Sequence, residues 1–220
     1  MAVVAKPLTT NSKKIVAALR QRVLRLTPDE IGLAPLSDAN IIANSIANLM
    51  VWGVVIETAH PDAVASLVAL GDGSVSLYVS NGTGCIGCGG QREVRQAGAD
   101  LLQIAASALP LTVATDDTDL PPTGVVRFYL LTRAGLHCKE TRLEDISTSD
   151  DLLSVLYFSG QRALAAIERT GAGQSLAQEI RIALNDMNIA LPGVTALPLE
   201  SEQGDPPCLS VGNVVRRLRT

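Results

Sequence analysis

The feature that most constrains the fold is a pair of short β-forming runs, Ala65 to Leu70 and Ser74 to Ser80, separated only by Gly71-Asp72-Gly73. Glycine supplies the positive φ angles that a tight reversal needs, so the segment reads as a β-hairpin. In its second arm Val75, Leu77 and Val79 alternate with Ser74, Ser76, Tyr78 and Ser80. That period of two predicts one buried and one wet face, the habit of antiparallel sheets. Val51-Trp52-Gly53-Val54-Val55-Ile56 reads as a strand before the hairpin, with His60-Pro61-Asp62 as the turn between them.

Helical spacing brackets these strands. Ile15, Leu19, Val23 and Leu26 place a helix over residues 12–26, and Thr27-Pro28-Asp29-Glu30 carries a capping signal for a further short turn ending at Gly32. Ser37 or Asp38 caps a second helix with the stripe Ile42, Ile46 and Leu49. After the sheet runs, residues 91–109 read as a helix stopped by Pro110, and residues 111–124 as an exposed acidic loop. A second hairpin follows, residues 125–132 and 136–143 turning at Arg133-Ala134-Gly135. Ser149 or Asp150 caps a helix carrying Leu152, Leu156, Ala163 and Ile167, and Leu176 to Met187 begin another.

This order predicts an α+β fold, a five-stranded, largely antiparallel sheet made of a three-strand meander, a crossover helix and a hairpin. The expected organisation is an N-terminal helical segment (1–50), a sheet core (51–170) and a C-terminal helix with a Pro-rich tail (171–220), together one compact domain. At the level of element order, residues 50–168 resemble the profilin-like sheets that include roadblock and longin domains. The runs Met50 to Val54, Ser66 to Leu70 and Asp72 to Gly82 are similar to those of small bacterial proteins, which implies a bacterial source and points to no activity.

Composition narrows the partners. The formal net charge is -4 and aromatic residues make up 3% of the chain, so both the basic field that binds duplexes and the stacking surfaces that bind single strands are lacking. No segment has the length of about 20 apolar residues that spans a bilayer, and no signal-peptide run opens the chain. A soluble cytoplasmic protein, with its four cysteines as reduced thiols, is the expectation.

Two motifs overlap between residues 81 and 90. Asn81, Gly82, Gly84 and Gly87 contain the G-x-G-x-x-G of a nucleotide loop, and Cys85 and Cys88 form the C-x-x-C of a redox or metal site. The nucleotide reading conflicts with the alternation of the preceding strand, since a dinucleotide fold buries its first strand on both faces of a parallel sheet. It also conflicts with Gly89-Gly90, which delay the helix whose amides would reach a pyrophosphate. For the thiols, a helix starting at Gln91 offers a route to a lowered pKa, while a structural zinc site needs two more ligands. His137 and Cys138 are adjacent in a strand and point to opposite faces, so only one can reach a given metal. His60 and His137 stand in no nucleophile motif. Asp116, Asp117 and Asp119 lack the glycine and distal glutamate of a calcium loop, and the basic end at Arg216, Arg217 and Arg219 reads as a partner-docking or frayed segment.

The leading expectation is a non-enzymatic scaffold that acts through homodimerisation or a protein partner, with no cofactor, no catalytic residues, no nucleic acid and no membrane. The high apolar fraction, 47%, and the amphipathic segments at both ends motivate it. The alternatives are a thiol redox switch or metal site at Cys85 and Cys88, and a small-molecule site at the loop of Asn81, Gly82, Gly84 and Gly87.

Overall fold

The computed structural model describes residues 10–33, 51–146 and 151–170. The expected helices over residues 37–49 and 176–187, Cys208 and the basic end lie outside the described residues. The centre of the molecule is β1 (Val51–Ala59), whose nine residues are all buried. It pairs with β2 (Val64–Leu70) on one side, and β2 with β3 (Val75–Val79). The expected hairpin is present: Gly73 has φ +84, its N–H donates to Leu70 O, and Asp72 Oδ1 accepts from Ser74 N at 2.9 Å. On its other side β1 pairs with β6 (Val125–Thr132), and β6 with β7 (Gly135–Arg142).

The sheet corrects the expected five strands to seven. β4 (Gly84–Cys85) extends the β3 edge and β5 (Val113–Ala114) the β7 edge, giving the order β4-β3-β2-β1-β6-β7-β5, with every pair antiparallel. Each added strand has two residues, too short to show a period. The α+β class and the antiparallel pairing stand.

Among the described residues four α-helices accompany the sheet. α1 (Thr10–Leu24) lies on one face, while α2 (Arg92–Ala108) and α4 (Leu152–Arg169) cover the other. The single turn α3 (Leu143–Ile146) follows β7. α2 presents Val94, Gly98, Leu101, Ala105 and Ala108 at alternating spacings of three and four, and α4 does so with Leu153, Leu156, Gly160, Ala163 and Ile167. They meet Val54, Ile56, Leu67, Ala69, Val75, Val126, Phe128 and Leu130 of the sheet. Gly98 and Gly160 let the helices approach closely: a Cβ on Gly98 would stand 2.5 Å from Val75 Cγ2, and one on Gly160 2.9 Å from Ile56 Cδ1.

Two local expectations are corrected. The cap of α4 is Asp151, whose Oδ1 accepts from Ser154 N at 2.9 Å, in place of Ser149 or Asp150. Nor is the serine and tyrosine face of β3 wet: Ser76 and Tyr78 are buried, because α1 covers that side. Alternation revealed that β3 has two unlike faces but not that a helix would return over the polar one. The capping signal at Thr27 is realised in part: Thr27 N and Oγ1 both donate to Glu30 Oε2 at 2.7 and 2.9 Å, but the residue that caps the 3-10 turn Asp29–Ile31 is Pro28, with no side-chain cap bond.

Candidate functional site

The glycine and cysteine loop folds back on the β3 edge. Asn81 is exposed, and its Oδ1 accepts from Thr83 N and Thr83 Oγ1, which closes a side-chain turn. Gly84 has φ +145 and lies so close to β3 that a Cβ there would fall 2.0 Å from Leu77 O. Gly87 is left-handed at φ +68, and its N–H donates to Ser76 Oγ at 3.1 Å. Gly89 passes so near Gly73 that a Cβ would sit 2.2 Å from its carbonyl oxygen. Packing against the hairpin thus accounts for Gly84 and Gly89, and backbone angle for Gly87. The amides that a phosphate would need are also displaced, since a 3-10 turn over Cys88–Gly90 precedes α2 and Arg95 donates to the carbonyls of Gly89 and Gly90.

Cys85 and Cys88 are joined in a disulfide that closes this loop, 1% and 3% exposed. Composition pointed to reduced thiols, and the close turn through Ile86 and Gly87 instead brings the two sulfurs together. A crosslink spanning so few residues removes little unfolded-state entropy, on the order of 2 kcal/mol by loop-closure scaling. Cys138 is a free, half-buried thiol beside Tyr129, and burial pushes its pKa up to about 11. His137 faces the other side, with Nδ1 3.3 Å from Thr112 Oγ1, and His60 is exposed at the first turn. Among the described residues no group of three or more histidine, cysteine, aspartate or glutamate side chains could hold a metal ion.

The polar chemistry concentrates on the α1 face of the sheet. Strand register places Tyr78, Ser66, Glu57, Arg127 and Glu140 side by side across β3, β2, β1, β6 and β7. Glu57 is fully buried, and Arg20 of α1 grips it through two bonds, Nε to Oε1 at 2.6 Å and Nη2 to Oε2 at 2.7 Å. Ser66 Oγ donates to the same carboxylate at 2.7 Å. Burial works against the charge on Arg20, yet the paired Glu57 carboxylate outweighs it and raises the guanidinium pKa.

The row continues into the acidic loop. Arg20 Nη1 donates to Thr118 O at 2.7 Å, and Arg127 Nη1 donates to Asp119 O at 2.6 Å and to Tyr129 Oη at 2.9 Å. Arg127 also pairs with Glu140, and its guanidinium lies 5.7 Å from the Tyr129 ring centroid. The loop is therefore exposed through Asp116, Asp117 and Asp119 but fastened through its carbonyls. Charge-assisted bonds of this kind are the strong ones, and the arrangement ties α1, the sheet and the loop into one body. Sequence reasoning missed it, although two signals were present: Arg20 falls in the stripe of Val16 and Val23, and Glu57 interrupts an apolar strand.

On the opposite side, α2 and α4 leave an open groove of about 1030 Å³ between their outer faces. The helices run antiparallel, since Arg169 at the end of α4 pairs with Glu93 at the start of α2. Acidic Glu93 and Asp100 and basic Arg92 come from α2, basic Arg162 and Arg169 from α4, and Ile104 and Ala165 also line the groove. On α4, Val155 and Phe158 are 45% and 50% exposed. No helix among the described residues is long and apolar enough to cross a membrane. Compared with protein-family models, curated proteins and solved structures, the chain matches none of them.

Proposed function

We propose that the protein is a non-enzymatic scaffold that works by association, pairing with a second copy of itself through the α2–α4 layer. The observation that carries this reading is the exposed apolar pair Val155 and Phe158 on the same helix as Arg162, beside a groove to which α2 brings Asp100 and α4 brings Arg162. A two-fold partner can lay its α4 against α2 of the first copy, so that Asp100 meets Arg162 in both directions, the self-complementarity of an isologous interface. An aromatic side chain half in water is the kind of anchor that such interfaces bury. Sedimentation of the full chain tests it. The expected result is a dimer at micromolar concentration that Phe158→Asp converts to monomer with an unchanged circular-dichroism spectrum and a melting temperature that no longer depends on concentration. A particle that stays monomeric at high micromolar concentration overturns the reading.

The disulfide favours a second reading, a dithiol–disulfide pair at Cys85 and Cys88. Exchange with a low-molecular-weight disulfide forms it through a mixed disulfide and releases two equivalents of the small thiol, and an excess of that thiol reverses it. The pair closes the loop that precedes α2, so oxidation state would be felt at the first turn of that helix. Intact mass with and without thiol, followed by hydrogen exchange over residues 82–98, decides it: identical exchange in the two states removes the reading.

A further inference from the structure

A second cavity, about 540 Å³, opens on the α1 face of the sheet, away from the α2–α4 groove. Its volume falls within the range of small-molecule sites, about 300–1,000 Å³. The walls are apolar where α1 and the loop approach each other, Ala17 and Leu120, and Val64 and the Tyr78 ring line it from the sheet. Arg20 and Ser66, both nine-tenths or more buried, line it from within, and Arg20 is paired behind them with the buried Glu57. Because Glu57 takes both of the Arg20 bonds that face it, the guanidinium brings little net charge to the cavity. The excess charge comes from Lys13 and Lys14 at the rim, which are both exposed, are in no ion pair among the described residues and outnumber Asp119, the one carboxylate of the lining. The glycine loop passes close beneath them, since a Cβ on Gly82 would stand 3.0 Å from Lys13 N.

An apolar chamber with cationic groups confined to one end matches a particular kind of molecule. We propose that the cavity between α1 and the β2–β3 edge binds a small anionic amphiphile, with its apolar body against Ala17, Val64, Tyr78 and Leu120 and its anionic group at Lys13 and Lys14. The site is independent of the association reading, because it uses the other face of the sheet.

Anilinonaphthalene sulfonate, which joins an aromatic body to one negative charge, is the first probe, titrated into the full chain by fluorescence. Saturable binding is expected, displaced by decanoate and at least about tenfold less well by neutral decanol, the discrimination that a charged hydrogen bond supplies. Lys13→Gln with Lys14→Gln should weaken the probe about tenfold, and Ala17→Phe should abolish binding by filling the chamber. Leu120→Trp narrows the mouth from the loop and serves if the α1 variant lowers the melting temperature. Phe158→Asp should leave binding unchanged. Absence of saturable binding, equal displacement by decanol, or binding that survives the cavity-filling variants or vanishes with Phe158→Asp overturns the proposal.

Discussion

The two faces of the sheet are held by opposite means. Toward α2 and α4 the contact is apolar and close, with Leu101, Phe128 and Leu156 fully buried and Gly98 and Gly160 allowing the helices to descend onto the strands. Toward α1 a smaller apolar cluster around Trp52, Val55, Val68 and Tyr129 shares its face with the Tyr78, Ser66, Glu57, Arg127 and Glu140 row. Close packing is insensitive to salt and pH but intolerant of added volume. A buried ionic row depends on exact pairing geometry, and it fails when one partner is removed. The difference teaches that one sheet can carry a rigid side, suited to presenting a constant surface, and a polar side that keeps a cavity open.

The largest expected effect breaks the polar side. Glu57→Ala leaves Arg20 buried without its partner and should cost about 3–5 kcal/mol in urea unfolding, whereas Arg20→Met combined with Glu57→Leu should recover most of that. If the single and double variants lose equal stability, the α1 face is held by packing as the other face is, and the contrast collapses. On the apolar side, Gly98→Ala drives a methyl toward the stiff Val75 side chain and should cost about 1–3 kcal/mol, whereas alanine at an ordinary exposed helix glycine gains about 0.5–1 kcal/mol. An unchanged midpoint would mean that α2 can lift off the sheet freely.

Smaller effects sharpen the comparison through pH. The Thr27 backbone N–H, chiefly, and then the Thr27 hydroxyl and Arg22 hold the Glu30 carboxyl below its usual pKa. A lowered folded pKa means stability present above the unfolded value and lost as pH falls through the folded one. Glu30→Gln should therefore remove about 0.5 kcal/mol at neutral pH and flatten the acid limb, with little effect at the lowest pH. Cys138 titrates in the opposite sense: burial raises its pKa from 9.0 to about 11, so the folded state holds the proton more tightly and loses stability as pH rises through that window. In a Cys208→Ser background, iodoacetamide should label native Cys138 more slowly than the denatured chain at pH 9, and Cys138→Val should remove part of the alkaline loss. Equal labelling rates would show that the α1 side is open to solvent at β7.

The legible parts of the fold are those with local signals. Glycine turns and a period of two located both hairpins, and spacings of three and four located α1, α2 and α4, each within a residue or two of its observed bounds. β4 and β5 were illegible because a two-residue strand exists only through its neighbour's hydrogen bonds. The glycine loop was visible as a motif, but why Gly84 and Gly89 are needed appears only when the loop lies against Leu77 and Gly73. The Arg20–Glu57 pair spans 37 residues of sequence, and nothing local joins its halves.

By itself the sequence determined which segments become strands and helices, because turn chemistry and hydrophobic period act over a few residues. It also determined the charge and aromatic poverty that argue against nucleic-acid binding. Only the tertiary structure decided that both faces of the sheet are covered, that five residues from five strands form one polar row, and that the cysteines close a disulfide. Those outcomes depend on strand register and on which helix returns over which face, both set by long-range packing between residues that are distant in the chain.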